Sequence, residues 1–148
     1  MEKYTSYKIL PELNLIVCNY QGEISITDVM NLTLAFVKDE QFNSDFNVLI
    51  DFRHSSAIGF RLDITDYVNF IKNNVALKNK VQVGITYSTP NQEFLLKIYR
   101  GFGKFMNLEI ENFKQIEPCL VWLHFSESEA FFIMQVLDSI KSGSDNLI

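Results

Sequence analysis

Near its amino terminus the chain carries two short strand-like runs, Tyr7–Leu10 and Leu13–Tyr20, parted by Pro11-Glu12. Strand patterns on either side of a proline turn predict a hairpin. Gln21-Gly22 predicts the end of the second strand. Ser25-Ile26-Thr27-Asp28 follows, with a hydroxyl three residues ahead of an acid, the spacing of a capping box. The apolar period then lengthens. Ile26, Val29, Met30, Thr33, Phe36 and Val37 fall on one face of a helix.

The apolar run Phe46–Phe52 reads as a buried strand, and Val81–Tyr87 is nearly continuous in apolar residues, as in a strand covered on both faces. Between them Asp63-Ile64-Thr65-Asp66 opens a second helix, with Ile64, Tyr67, Val68 and Ile71 pointing one way. Thr89-Pro90-Asn91-Gln92 gives the clearest helix start: a threonine cap, proline at the first helical position and glutamine three residues after the cap. That helix is expected to bury Leu95, Ile98, Tyr99 and Phe102 and to end at Gly101 or Gly103. Leu108–Phe113 reads as a short strand and Pro118–Leu123 as a short helix. Ser126-Glu127-Ser128-Glu129 caps a last helix running to about Lys141, and SGSDNLI reads as a frayed tail.

The order β-β-α-β-α-β-α-β-α-α implies an α/β fold. We expect a single mixed, mostly parallel sheet of about five strands, with an amino-terminal hairpin, crossover helices and an extra carboxy-terminal helix. No linker or internal repeat divides residues 1–148, so one domain is expected, with its core over about 7–123, the last helix at about 126–141 and the tail at 142–148.

Chemistry concentrates in FNVLIDFRHSSAIGF, from Phe46 to Phe60. After the strand come Arg53, His54, Ser55 and Ser56, read as a polar loop, then a short apolar step and the helix start at Asp63. In α/β sheets, loops at the carboxyl ends of strands carry ligands. Asp51, Arg53, His54, Ser55, Ser56, Arg61 and Asp63 are therefore the candidate partner or ligand loop. Asp51, His54 and Ser55 or Ser56 have the residue types of an orienter, a base and a nucleophile. Neighbours so close in sequence rarely reach triad geometry, however, and no Gly-x-Ser-x-Gly elbow is present. No catalytic residue is assigned.

Composition narrows the classes further. A net charge of −5 disfavours broad attraction to nucleic acid or an anionic membrane. No apolar run approaches the roughly 20 residues that span a bilayer, and the amino terminus lacks the pattern of a signal peptide. A cytoplasmic protein is expected, without stable membrane insertion. Cys18 and Cys119 match no metal or redox spacing and read as buried thiols. His54 and His124 have no ligand spacing with them, so no metal or cofactor is expected. Gly101-Phe102-Gly103 sits at a helix end, whereas phosphate-binding loops precede helices. Lys97, Arg100 and Lys104 share one side of their helix, either as an anion strip or as favourable charges near its carboxyl end.

The Gly-Glu-Ile turn after the hairpin, Thr27-Asp28-Val29 and Val48-Leu49-Ile50-Asp51 resemble the STAS-like superfamily. The stretch KVQVGITYSTPNQEFLLKIYRGFGKFMNLEIENFKQIEPCLVWL is similar to its SpoIIAA-like subgroup, also described as STAS/SEC14-like. The resemblance spans roughly Tyr7 to Leu123. It implies the α/β scaffold above and, in phosphoswitch members, a serine where the strand's loop enters the next helix. The matching positions here, near Gly59-Phe60-Arg61-Leu62, carry no serine or threonine, and Ser55 and Ser56 come too early.

Two functional readings follow. One is a non-enzymatic interaction or regulatory module lacking that phosphoacceptor. The other is a carrier or sensor of a small apolar or lipid-like ligand, motivated by the SEC14-like side of the resemblance and by 13 phenylalanines. The last helix adds a surface clue. Ala130, Ile133, Met134, Leu137 and Ile140 form its apolar stripe, while Phe131, Phe132 and Val136 spread beyond it beside Gln135. Such a helix is either wedged into its own domain or packed on a second copy. Phe131, Phe132, Gln135 and Val136 are the candidate face of a homodimer.

Overall fold

The computed structural model describes residues 2–58, 60–75 and 77–141, with backbone alone at 58 and 60–63. The strands are β1 (Tyr4–Leu10), β2 (Leu15–Ser25), β3 (Asn47–Ile58), β4 (Val81–Thr86) and β5 (Leu108–Phe113). The helices are α1 (Ile26–Val37), α2 (Phe60–Asn74), α3 (Pro90–Gly101), α4 (Ile116–Trp122) and α5 (Glu127–Ser139). The expected tail at 142–148 lies outside the described residues.

Side-chain caps set the helix starts. Ser25 with Asp28, Thr89 with Gln92 and Ser126 with Glu129 each complete a reciprocal capping box, so α1, α3 and α5 begin where their sequences predict. The strands differ from expectation in length. Gln21-Gly22 does not end β2, because Gly22 takes a φ of 82° and carries the chain on to Ser25. Likewise Arg53, His54, Ser55 and Ser56 are strand rather than loop: β3 continues beside that extension of β2, pairing His54 with Gln21 through Ile58 with Ser25. α2 accordingly starts at Phe60, three residues before the predicted Asp63.

All five strands form one sheet in the order β1-β2-β3-β4-β5, with β1 antiparallel to β2 and every other pair parallel. Strands added in sequence order, each through a crossover of one hand, put their helices on one face. That face holds α1, α2 and α3 over Ile16, Cys18, Ile50, Val83 and Ile110. On α3 the buried residues are Gln92 and Leu96, whereas the predicted Leu95, Ile98, Tyr99 and Phe102 are half-buried. The helix is rotated so that Gln92 reaches the sheet.

The other face is covered by α4 and α5, which lay Cys119, Leu120, Ile133 and Leu137 on Leu15, Val17 and Leu49. Each such fully buried aliphatic contributes on the order of 1.5–3 kcal/mol. α4 approaches so closely that a Cβ at Gly84 would stand 2.5 Å from the Cys119 sulfur. Burial pushes the Cys119 thiol up to about 12 and raises the Cys18 thiol further, so both stay protonated and unreactive at neutral pH.

Candidate functional site

Asp51 ends the buried part of β3 on the face covered by α4 and α5, and its side chain is fully buried. A lone carboxylate there would be costly, and three groups satisfy it. Its Oδ1 accepts from the Arg53 backbone N–H at 3.0 Å, Arg53 Nε at 2.9 Å and Thr86 Oγ1 at 2.9 Å. Its Oδ2 accepts from Arg53 Nη2 at 3.0 Å, and Lys141 Nζ stands 3.8 Å away at the end of α5. Burial pushes the carboxyl pKa up, but the Arg53 and Thr86 hydrogen bonds and the guanidinium charge hold it below the ordinary value.

The register beyond Asp51 shapes the site. Asn19 pairs with Asp51 and Gln21 with His54, so one intervening residue on β2 faces two, Phe52 and Arg53, on β3. This is a β-bulge, and it breaks the alternation of side chains. Arg53 and His54, though adjacent, line the same cleft under α4 and α5. Ser55 falls on the opposite face, beside Phe52, Ala57, Gln92 and Leu96.

The β4–α3 segment holds the bulge in place. Gln92 Nε2 donates to the carbonyls of Phe52, at 2.7 Å, and Ser55. Its Oε1 meanwhile accepts from the backbone N–H groups of Ser88 and Thr89 at 2.7 and 3.1 Å. Ser88 Oγ donates to the Arg53 carbonyl at 2.7 Å. Beyond Thr86, β4 no longer pairs with β3, so side chains take over the backbone bonding.

The predicted site residues therefore divide. Asp51, Arg53 and His54 come together at the cleft. Ser55 is turned away from His54 and donates its hydroxyl to the Phe52 carbonyl at 2.9 Å, so the two do not share the geometry of a nucleophile and its base. Ser56 is exposed within β3, and neither serine stands at the strand-to-helix junction. Arg61 and Asp63 lie in the first turn of α2, with side chains outside the described residues.

The sequence reading missed Thr86, Gln92, Glu117, Asp138 and Lys141. Thr86 and Gln92 were legible only as strand and cap residues. The other three reach the site from helices distant in the chain, and no local spacing marks them.

The cleft holds about 270 Å³, bounded by Arg53, His54, Glu117, Asp138 and Lys141 above Ile116, Met134 and Leu137. On the opposite face, two apolar cavities of about 60 and 30 Å³ adjoin at Val29, Ile50, Tyr67 and Tyr99. The basic strip on α3 is largely spent: Lys97 pairs with Glu93 at 3.2 Å and Arg100 with Glu111 at 2.6 Å. His124 adopts a φ of 69°, the left-handed turn that follows α4. Among the described residues no group of three or more His, Cys, Asp or Glu side chains converges on a metal position. No helix among them is long and apolar enough to cross a membrane.

No protein-family model and no curated protein matches the chain. It is similar in structure to an uncharacterized protein of the DUF3478 family from Shewanella loihica PV-4, described as having a SpoIIAA-like fold. The two superpose with a TM-score of 0.56 at 16% identity, over 83% of this chain and 96% of the other. At that identity the likeness concerns the fold, which agrees with the resemblance in Val48-Leu49-Ile50-Asp51 and the segments around it.

Proposed function

We propose that this chain, whose fold is SpoIIAA-like, is a non-enzymatic interaction or regulatory module. Its partner would meet the end of β3 and the start of α2, through Arg53, His54, Ser56, Arg61 and Asp63. One observation carries the reading: the bulge presents Arg53 and His54 side by side at an open cleft while Asp51 holds the guanidinium in place. An arginine fixed by a buried carboxylate loses little entropy when it meets a partner, which suits recognition. Ser55, whose hydroxyl is donated to the Phe52 carbonyl, suits neither a nucleophile nor a phosphoacceptor.

Affinity capture from the source cells tests the proposal. A partner retained by the wild-type protein should be lost from a His54→Glu/Arg61→Glu variant. Equal recovery by both would remove this surface from the account.

The second reading, a carrier of a small apolar or lipid-like ligand, draws on the two apolar cavities beneath α1, α2 and α3. Drug-sized ligands occupy pockets of about 300–1,000 Å³, several times the 60 and 30 Å³ found. A lipid would have to part the Tyr67–Tyr99 contact, whose ring centroids lie 5.4 Å apart, and merge the two cavities. The volumes favour the module.

A further inference from the structure

Charge is divided unevenly along the chain. Residues 67–108 hold Lys72, Lys78, Lys80, Lys97, Arg100 and Lys104 against a single acid, Glu93. That stretch carries a net charge of +5, which leaves −10 on the remainder of a chain whose total is −5. Lys97 and Arg100 are paired with Glu93 and Glu111. Among the described residues, Lys72, Lys78, Lys80 and Lys104 enter no ion pair.

The fold gathers these four lysines at the end of the sheet opposite the cleft. Lys72 lies in the last turn of α2, and Lys78 and Lys80 lie in the connection that leads into β4. Lys104 belongs to the 3-10 turn Gly103–Met106, just before β5. The Val81 N–H donates to the Asn107 carbonyl at 3.3 Å and ties the two connections together. Phe105 stands at this end with 53% of its surface exposed. The Lys72 and Lys104 ammonium groups lie 5.8 and 5.3 Å from its ring centroid, within cation–π range. Phe102 backs the ring at 6.2 Å. The patch therefore offers one open apolar contact inside a locally positive field.

The acids at this end stand apart from the lysines. Glu12 lies in the hairpin turn, and Asp39, Glu40 and Asp45 lie in the α1–β3 connection, so they gather beneath β1 to β3. Asn79 donates to Asp45 at 3.1 Å and marks the border between the two halves. Glu109 alternates with Leu108 and Ile110, which pack beneath α1, α2 and α3, and so faces the α4 side. A flat anionic membrane laid on this end would meet acids and lysines together. A narrow segment of chain meets the lysines alone.

We propose that this patch is a second interaction surface, which receives a short acidic segment of a partner protein carrying one large apolar residue. The carboxylates of that segment lie against Lys72, Lys78, Lys80 and Lys104, and its apolar side chain lies on Phe105. The patch is remote from the surface at the end of β3, so either proposal can fail while the other stands.

The test uses a fluorescein-labelled peptide of glutamates around a single phenylalanine, titrated with the full-length protein and followed by anisotropy. One control peptide has glutamine for every glutamate, and a second has serine for the phenylalanine. Saturable binding is expected for the first peptide alone. It should weaken as salt rises from about 0.05 to 0.3 M, because screening shortens the reach of exposed charges. Lys72→Glu/Lys104→Glu should lose about tenfold in affinity, two exposed charge pairs being reversed. Phe105→Ser should lose about fivefold through its apolar contact. Lys8→Glu/Lys114→Glu makes the same change in net charge away from the patch and should bind as the wild type does. All of these side chains are exposed, and circular dichroism checks that each variant keeps the fold.

An absence of saturable binding at low salt overturns the proposal. So does equal binding of the glutamine peptide, or an equal loss in Lys8→Glu/Lys114→Glu, which would mark unspecific attraction. Two further probes are vesicles of phosphatidylserine and phosphatidylcholine in equal parts, and an oligothymidylate. If either displaces the peptide and itself loses affinity for Lys72→Glu/Lys104→Glu, the patch belongs to lipid or nucleic acid and the protein partner is overturned.

Discussion

Asp51 shows how a single residue organises the site. Its carboxylate is fully buried but bound by Arg53 and Thr86, and removing the charge leaves Arg53 without its partner. Asp51→Asn should lower the unfolding free energy by about 2 kcal/mol at pH 7, toward the middle of the range for hydrogen bonds to charged groups. The pH dependence has a definite sign. The folded pKa lies below the unfolded value of about 3.9. The contribution is therefore complete above that value and is lost as pH falls through the folded pKa. Urea unfolding at a series of pH values should show the wild-type advantage over Asp51→Asn shrinking below about pH 4. A constant difference down to pH 2 would contradict the assignment. Gln92 acts at the same scale, joining both edges of the α3 start to β3 with one amide.

Elements were legible in the sequence wherever local chemistry decides them. The boxes at Ser25, Thr89 and Ser126 act over three residues, so their helices start as read. The failure at Arg53–Ser56 has a physical cause. Polar residues at the end of a strand look like a loop when the partner strand that pairs with them, here Gln21–Ser25, is distant in sequence. The bulge is subtler still, since it exists only in the register between two strands.

The seating of α4 is another non-local fact. Gly84 read as one apolar position among others, yet it is where the Cys119 sulfur touches the sheet. Gly84→Ala should destabilise by roughly 1–3 kcal/mol through overpacking. In the Cys119→Ala background the same change should cost at least about 1 kcal/mol less. A double-mutant cycle by chemical denaturation measures this, and strict additivity would refute the contact.

At the scale of the whole molecule, the mixed sheet and its amino-terminal hairpin follow from the alternation of elements, but the strand order did not. β2 to β5 succeed one another without reversal. The sheet therefore lacks the reversal point at which open α/β sheets usually form their binding crevice. The cleft comes instead from the bulge and from the two helices closing the far face. The same closure leaves Phe131 63% and Phe132 43% exposed on α5, with Gln135 and Val136 beside them. Exposed aromatics so placed favour a second copy of the chain as partner. Sedimentation at micromolar concentration should give twice 17.2 kDa for the wild type and 17.2 kDa for Phe131→Ser/Phe132→Ser. A wild-type monomer would exclude that dimer.

Recognition at the end of β3 is tested most directly by quantitative affinity capture with three baits: wild type, His54→Glu/Arg61→Glu, and Phe94→Ser. The last alters an exposed aromatic on α3, away from the cleft. Partners should be recovered equally by wild type and Phe94→Ser and lost from the double variant. Partners kept by the double variant and lost from Phe94→Ser would contradict it.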